Sequence, residues 1–485
     1  MSKSAIVQWL DEQAPLFYGV ARQIWERPEL AYTESFAASL QMKVLQEAGF
    51  AVRPQVGGVA TAFVAEYSVG DGGSGGSGGG PKIGVLGEFD ALPGLSQQAG
   101  NAERCAVVPG GPGHGCGHNL LGTAGVAAVM ALKERMAAEG LPGTIRYYGC
   151  PAEEVLAGKT FMAREGVFHD LDCAVSWHPG YMNSTINDRN AALTSVEFHF
   201  RGKTAHAGGS PHLGRSALDA VELMNVGANY MREHVVDGSR IQYVITNGGM
   251  APNIVPDEAS VWYFLRGFDR DHVDGLYAWL LKIAQGAALM TETQVSWQLR
   301  AGCYDTLPNA AMGDLMLAQA EVAGPLLYSE EDYHLAQELV ATLDAGSRNG
   351  ARRRLADLGA NPDDVLAEGF FRGPFGNRNG GSTDLADISW IVPVGQVGIA
   401  CAPVGVANHT WQATASYGSP LGMKGMLHAA KIMALSGYDL LHNQDGIIEN
   451  AKDEFTRLRN GKTYVCALPA DVQPPASVPV TVPAG

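Results

Sequence analysis

Hydrophobic residues recur at helical spacing over residues 5–27 and 34–48, with the breaker Arg27-Pro28-Glu29 between the two stretches. Residues 60–67 then read as a strand. Residues 70–80 are almost pure Gly and Ser, a composition that buries nothing and predicts a mobile hairpin tip of linker character. Four short apolar runs follow, each leading to a polar cluster: 83–86 to Glu88-Phe89-Asp90, 144–148 to Glu153-Glu154, 173–177 to His178, and 397–401 to His409. Such runs, alternating with helical stretches like 120–139, predict an α/β fold with a mostly parallel sheet covered by helices on both faces. Ligands bind such sheets beyond the carboxyl ends of the strands, and every one of these clusters falls at that edge.

The rhythm changes between the third and fourth runs. Residues 195–200, 241–246, 259–266 and 294–299 read as strands, and 215–233 and 272–287 as helices. The order β-α-β-β-α-β is that of a ferredoxin-like α+β unit. Because the earlier type of strand resumes only near Val397, this unit is expected to be an insertion. Residues 310–380 read as helical and turn-rich without a cluster of ligand-type residues, and 468–485 as an extended Pro/Val-rich tail.

A length of 485 residues calls for two or three domains, and 46% hydrophobic with 17% charged residues suits a well-cored globule. The net charge of −16, from 50 acidic against 34 basic residues, argues against nucleic acid or an anionic membrane as partner. It leaves an anionic small molecule open, since local charge reads such a ligand. No apolar run approaches the ~20 residues of a membrane span, and residues 1–6 do not begin a secretory signal. The seven cysteines are scattered and odd in number, which fits reduced thiols in a cytoplasmic protein.

The chemistry centres on Cys116 and His118, set among Gly111, Gly113, Gly115 and Gly117 at the start of a predicted helix. Glycine lets the backbone pass close to an ion, and the helix start favours a thiolate. Singly, each polar residue has a duller reading: an inert buried cysteine, a solvated Glu153-Glu154 loop, a strand-end His178, a core His409. Gathered at one sheet edge, Cys116, His118, Glu154, His178 and His409 predict a metal site. A thiolate with imidazoles and carboxylates suits Zn²⁺, with Mn²⁺ or Co²⁺ as alternatives. Five ligands exceed a structural zinc site and predict two divalent ions bridged by Cys116, about 3.5–4 Å apart. Successive side chains diverge, so Glu154 is assigned to metal and Glu153 to proton transfer.

Several motifs carry a resemblance: Gly113-His114-Gly115-Cys116-Gly117-His118-Asn119, Gly149-Cys150-Pro151-Ala152-Glu153-Glu154, Trp177-His178-Pro179, Ala205-His206-Ala207 and Pro252-Asn253-Ile254-Val255. Together they resemble family M20 metallopeptidases, in the amidohydrolase branch that uses Cys-Gly-His. The stretch from His212 to Ala220, and Ser382-Thr383-Asp384 followed by Asp387-Ile388-Ser389-Trp390, narrow the likeness within that branch. The resemblance implies a di-metal catalytic domain at residues 1–190 and 303–485 and a dimerising lid at 191–302. It implies the same five metal ligands and Glu153 as general base. His206 would polarise the substrate carbonyl, and Asn253 and Arg266 would hold the substrate. Without the resemblance, His206 reads as a surface histidine and Arg266 as a partner of Asp269. Many members place a metal-binding His two residues before the Asp of an Asp-x-x-Pro motif. Here Glu88 stands ahead of Asp90-Ala91-Leu92-Pro93, so Asp90 is expected to orient a ligand and Glu88 is not counted among them.

The implied reaction is metal-dependent hydrolysis of the amide of a small anionic N-acyl amino acid, N-(4-aminobenzoyl)-L-glutamate foremost. Its rivals are another N-acyl amino acid or a dipeptide, and a non-catalytic partner subunit. The intact Glu153 and full ligand set speak against the last. A homodimer, or a heterodimer with a related subunit, is expected.

Overall fold

Val85, Tyr147, Val175 and Val397 point to one side of a central sheet, while their neighbours Leu86, Tyr148 and Ala174 point to the other. That period of two, with both faces apolar, is what forces helices onto both faces. The computed structural model describes residues 2–70 and 79–476. The first part of the chain forms α1 (Ser2–Glu26), α2 (Ser35–Glu47), β1 (Ala51–Pro54), β2 (Phe63–Val69), β3 (Lys82–Glu88), α3 (His118–Glu139), β4 (Gly143–Cys150), α4 (Gly158–Arg164), β5 (Cys173–Gly180) and β6 (Asn183–Thr185). A second unit follows: β7 (Ala192–Arg201), α5 (Ala217–Met231), β8 (Arg240–Asn247), β9 (Glu258–Gly267), α6 (Arg270–Thr291) and β10 (Gln294–Cys303). The chain then makes α7 (Ala310–Ala323), α8 (Glu330–Ala341), α9 (Ala345–Asp357), β11 (Phe370–Phe371), α10 (Leu385–Ser389), β12 (Val394–Ala400), α11 (Trp411–Tyr417), α12 (Pro420–His442) and α13 (Ile447–Arg459).

The larger sheet has eight strands in the order β1-β2-β4-β3-β5-β12-β6-β11. Strands β4, β3, β5 and β12 run parallel, so their carboxyl ends share one edge. Helices α1, α3 and α12 cover one face and α4 and α10 the other. Helix α3 is buried on every side over its first twelve residues, His118 to Val129, as expected of a helix apolar all round.

The second sheet is antiparallel with the order β10-β7-β9-β8. Val261, Tyr263 and Leu265 on β9 pack against α5 and α6. The alternate residues Phe264 and Arg266 line a cleft shared with the larger sheet. Strand β8 is an edge strand that exposes Tyr243, Val244 and Ile245.

One expectation changes. Strands β2 and β3, which flank the Gly/Ser run, each pair with β4 and not with each other. β2 and β3 therefore form no hairpin, because β4 lies between them; residues 71–78 of the Gly/Ser run lie outside the described residues. The Pro/Val-rich tail beyond residue 476 also lies outside them. Short β1, β6 and β11 carry too few residues for a legible alternation. All seven cysteines are free, and among the described residues no helix is long and apolar enough to cross a membrane.

Candidate metal centre

The parallel strands deliver their polar clusters to one edge. Glu88 closes β3 and Asp90 follows it; the loop after β4 carries Glu153 and Glu154; His178 lies on β5; and the loop after β12 carries His409. Opposite them, helix α3 begins at His118, with Gly117 as its N-cap at φ 78. A side chain there would meet the Pro179 ring 2.7 Å away, so the turn between Cys116 and His118 requires glycine. The His409 backbone N–H donates to Gly115 O at 2.9 Å, pinning the last loop to the first.

Ligand atoms gather in three groups, each within 4.8 Å: Cys116, His118 and His178; Cys116, Glu154 and His409; and Glu88, His118 and Glu153. Cys116 Sγ lies 3.5 Å from His178 Nε2, and His409 Nε2 lies 3.4 Å from Glu154 Oε2. His118 Nδ1 sits 3.0 Å from Asp90 Oδ1, leaving Nε2 to face Glu88. The other oxygen of Asp90 accepts the Glu154 backbone N–H at 2.9 Å, so one carboxylate orients two of these residues. Glu153 and Glu154, adjacent in sequence, fall into different groups.

The residues fit divalent ions. His118 Nε2, Glu154 Oε1 and Glu88 Oε2 are buried and have no hydrogen-bond partner, a costly state that coordination relieves. Cys116 belongs to two groups and can bridge. Burial pushes the Cys116 thiol far up, and Glu154 adds to the rise. Burial lifts Glu154 to about 7, against the pull of His118, and lifts Glu153 well above the carboxylate range with help from Glu88. Burial also takes His178 down to about 4 and lowers His409. A bound cation reverses the raised acids, and the imidazoles of His178 and His409 that burial holds neutral are already in the form that coordinates it.

The cleft beside these groups measures about 450 Å³ and is lined by Phe264, Arg266, Asn379, Ser382, Thr383 and Gln396, among others. Arg266 donates to Gly380 O and Ser382 Oγ, both at 3.1 Å, and its buried Nε has no partner. No ion pair joins it to Asp269 or to any other carboxylate among the described residues. His206 and Asn253 are exposed and do not line this cleft. They sit together on the second unit, where Ala207 N–H donates to Asn253 O at 3.0 Å and the Gly208 and Gly209 N–H groups donate to His206 Nδ1.

Three residues of the site escaped the sequence reading. Glu34 is fully buried and accepts the Ala152 N–H at 2.8 Å, the Tyr32 N–H at 2.9 Å and the Thr61 hydroxyl at 2.9 Å. It thereby holds the loop that carries Glu153. Lys159, also fully buried, places its ammonium 2.7 Å from Glu88 and 2.5 Å from Asp384. Burial works against that charge, and Asp384 and Glu88 more than offset it. The Ser382-Thr383-Asp384 motif was the available signal for Asp384, and Lys159 had none.

A two-unit α/β fold with these groups at the carboxyl edge of its parallel strands defines a hydrolase of the M20 type. The sequence pattern of peptidase family M20/M25/M40 matches residues 84–464, and the chain belongs to that family. It is similar to one of the subunits of the p-aminobenzoyl-glutamate hydrolase of Escherichia coli, with 40% identity over 466 residues, 94% of this chain and 95% of that one. It is also similar to the Xaa-Arg dipeptidase of Mus musculus, with 28% identity covering 93% of this chain and 92% of the relative. A Bacillus subtilis crystal structure, described as a dinuclear metal-binding peptidase of the M20 family, shares the fold. Its TM-score is 0.51 at 17% identity, covering 87% of this chain and 98% of that one.

Proposed function

We propose that this chain hydrolyses the amide of N-(4-aminobenzoyl)-L-glutamate, releasing 4-aminobenzoate and glutamate, with two divalent ions held by Cys116, His118, Glu154, His178 and His409. The observation that carries the reading is the pair of ligand groups sharing Cys116, beside the half-buried guanidinium of Arg266, whose buried Nε has no partner. The likeness to the Escherichia coli hydrolase supplies the substrate. The ions, Zn²⁺ or Mn²⁺ with Co²⁺ as an alternative, supply Lewis acidity towards the carbonyl and lower the pKa of water.

The chain's own residues do the rest. Glu153 takes the proton of the attacking water and delivers it to the leaving nitrogen. Asp90 keeps the proton of His118 on Nδ1, so that Nε2 remains a ligand. Arg266 pairs with a carboxylate of the glutamyl part, for which a planar guanidinium is the natural partner. Residues 191–302 act as a lid that pairs subunits through the exposed edge of β8. In that pairing His206 and Asn253 serve the neighbour's site, which accounts for their distance from the cleft of their own chain. The pairing is with a second copy or a related chain, as the naming of the Escherichia coli relative as a subunit suggests. The free cysteines support a cytoplasmic setting.

The test is to strip the protein with chelator, restore Zn²⁺, Mn²⁺ or Co²⁺, and follow amine release from N-(4-aminobenzoyl)-L-glutamate, other N-acyl amino acids and Xaa-Arg dipeptides. Hydrolysis that needs metal and favours the first is expected. Full activity without metal would overturn the metal reading, and preference for a dipeptide would overturn the substrate.

A further inference from the structure

The third ligand group, Glu88, His118 and Glu153, meets the same 4.8 Å limit as the two that share Cys116. His118 has one nitrogen to offer, because Nδ1 is taken by Asp90. Nε2 lies 3.2 Å from Glu88 Oε2 and 3.9 Å from Glu153 Oε2. An ion on His118 therefore has two destinations: the sulfur of Cys116 with His178, or the two carboxylate oxygens of Glu88 and Glu153. The oxygen pair is the better match for a hard divalent cation. Occupying it would also turn Glu153 from a proton carrier into a ligand.

Lys159 stands against that outcome. Its ammonium is fixed between Glu88 Oε1 at 2.7 Å and Asp384 Oδ1 at 2.5 Å, and its backbone N–H donates to Asp384 Oδ2 at 2.8 Å. The preceding Gly158 packs so closely that a Cβ would fall 1.7 Å from Pro151 O, which holds the start of α4 against the Glu153 loop. The charge of Glu88 is thus shared with a resident cation. An ion drawn to Glu88 Oε2 would face that ammonium across a single carboxyl group.

We propose that Lys159 is a positioning residue of the metal centre, a built-in cation that claims Glu88, confines both ions to the Cys116 groups and leaves Glu153 free. The inference rests on the two-ion reading above. Co²⁺-loaded protein tests it, because a thiolate on Co²⁺ gives a near-ultraviolet charge-transfer band that Cys116→Ser identifies. Lys159→Met should retain at least the wild-type Co²⁺ content while the band falls by about half or more, as the ion moves to oxygen ligands. Glu88→Gln alone should keep the band, and Lys159→Met with Glu88→Gln should regain it. A wild-type protein that binds Co²⁺ without the band would sink the two-ion reading itself. A wild-type band that Lys159→Met leaves intact would overturn only the role of Lys159, as would loss of bound Co²⁺ in Glu88→Gln. If circular dichroism shows Lys159→Met unfolded, the double variant decides: recovery of fold and band supports the role, and a folded double variant without the band overturns it.

Discussion

Asp90→Asn removes one oxygen acceptor and should weaken metal binding without removing any ligand. Asp90 accepts from two N–H donors, His118 Nδ1 at 3.0 Å and the Glu154 backbone at 2.9 Å, and is itself only 1% exposed. An asparagine has one oxygen for these two donors, so its NH2 group faces one of them in either orientation. With the oxygen kept on His118, the amide meets the Glu154 N–H and pushes that loop away. With the oxygen kept on Glu154, the amide faces His118 Nδ1, which either keeps its proton on the Asp90 main-chain oxygen 3.1 Å away with an N–H opposed to it, or gives the proton to Nε2, the atom a metal needs. Either way a buried polar group is left mispaired at a cost of about 1–3 kcal/mol. At about 1.4 kcal/mol per factor of ten, that is roughly a 10–100-fold loss of metal affinity, the range usual for a lost partner of a liganding histidine. Competition against a chromophoric chelator at fixed pH measures it. The kcat at saturating metal should fall far less than the affinity, since all five ligands remain. A dissociation constant within about threefold of wild type would refute the reasoning, because the mispairing would then have been relieved at no cost.

Glu153→Gln should keep its metal and lose at least ~10² in kcat; loss of metal instead would mean that Glu153 and Glu154 exchange roles. Arg266→Ala should raise KM for an acyl-glutamate far more than for an acyl-amino-acid amide, and equal loss on both would mark a structural role. Asp387 is buried and accepts from Thr160 and from the Tyr304 N–H, and burial lifts its carboxyl from 3.8 to about 7. A raised folded value favours the protonated form, so this contribution is fully present below the unfolded pKa near 4 and is lost as pH rises towards 7. The change is on the order of 4 kcal/mol. In chelator-treated protein, Asp387→Asn should therefore gain Tm relative to wild type between pH 4 and 8, and a gap that does not vary with pH would contradict the assignment. Finally, His206→Ala and Glu153→Gln, each inactive alone, should regain activity when subunits are exchanged; no recovery with exchange confirmed by mass spectrometry would confine His206 to its own subunit or to no role.

Much of this protein is written locally. The short apolar runs that became β3, β4, β5 and β12, and the β-α-β-β-α-β rhythm of residues 192–303, report burial along short segments. Sequence alone shows burial of that kind, because each residue's neighbours on its own strand or helix carry the pattern. The spacing of Cys116 and His118 is equally local, since two residues across a glycine turn set the start of α3. The strand order is not local, so β4 lies between β2 and β3 although the chain joins those two directly. Glu34 reaches Ala152 across 118 positions, and Lys159 reaches Asp384 across 225. A lysine in a short helix reads as a solvated charge until packing closes over it. Only the assembled sheet edge, with α4 and the loop before α10 folded against it, brings two carboxylates to that ammonium. The candidate ligands were therefore legible only as a set gathered at one sheet edge, not one residue at a time. Which oxygen or sulfur each shares, and what cation already stands beside Glu88, depended on contacts between distant segments that leave no periodic trace in the chain.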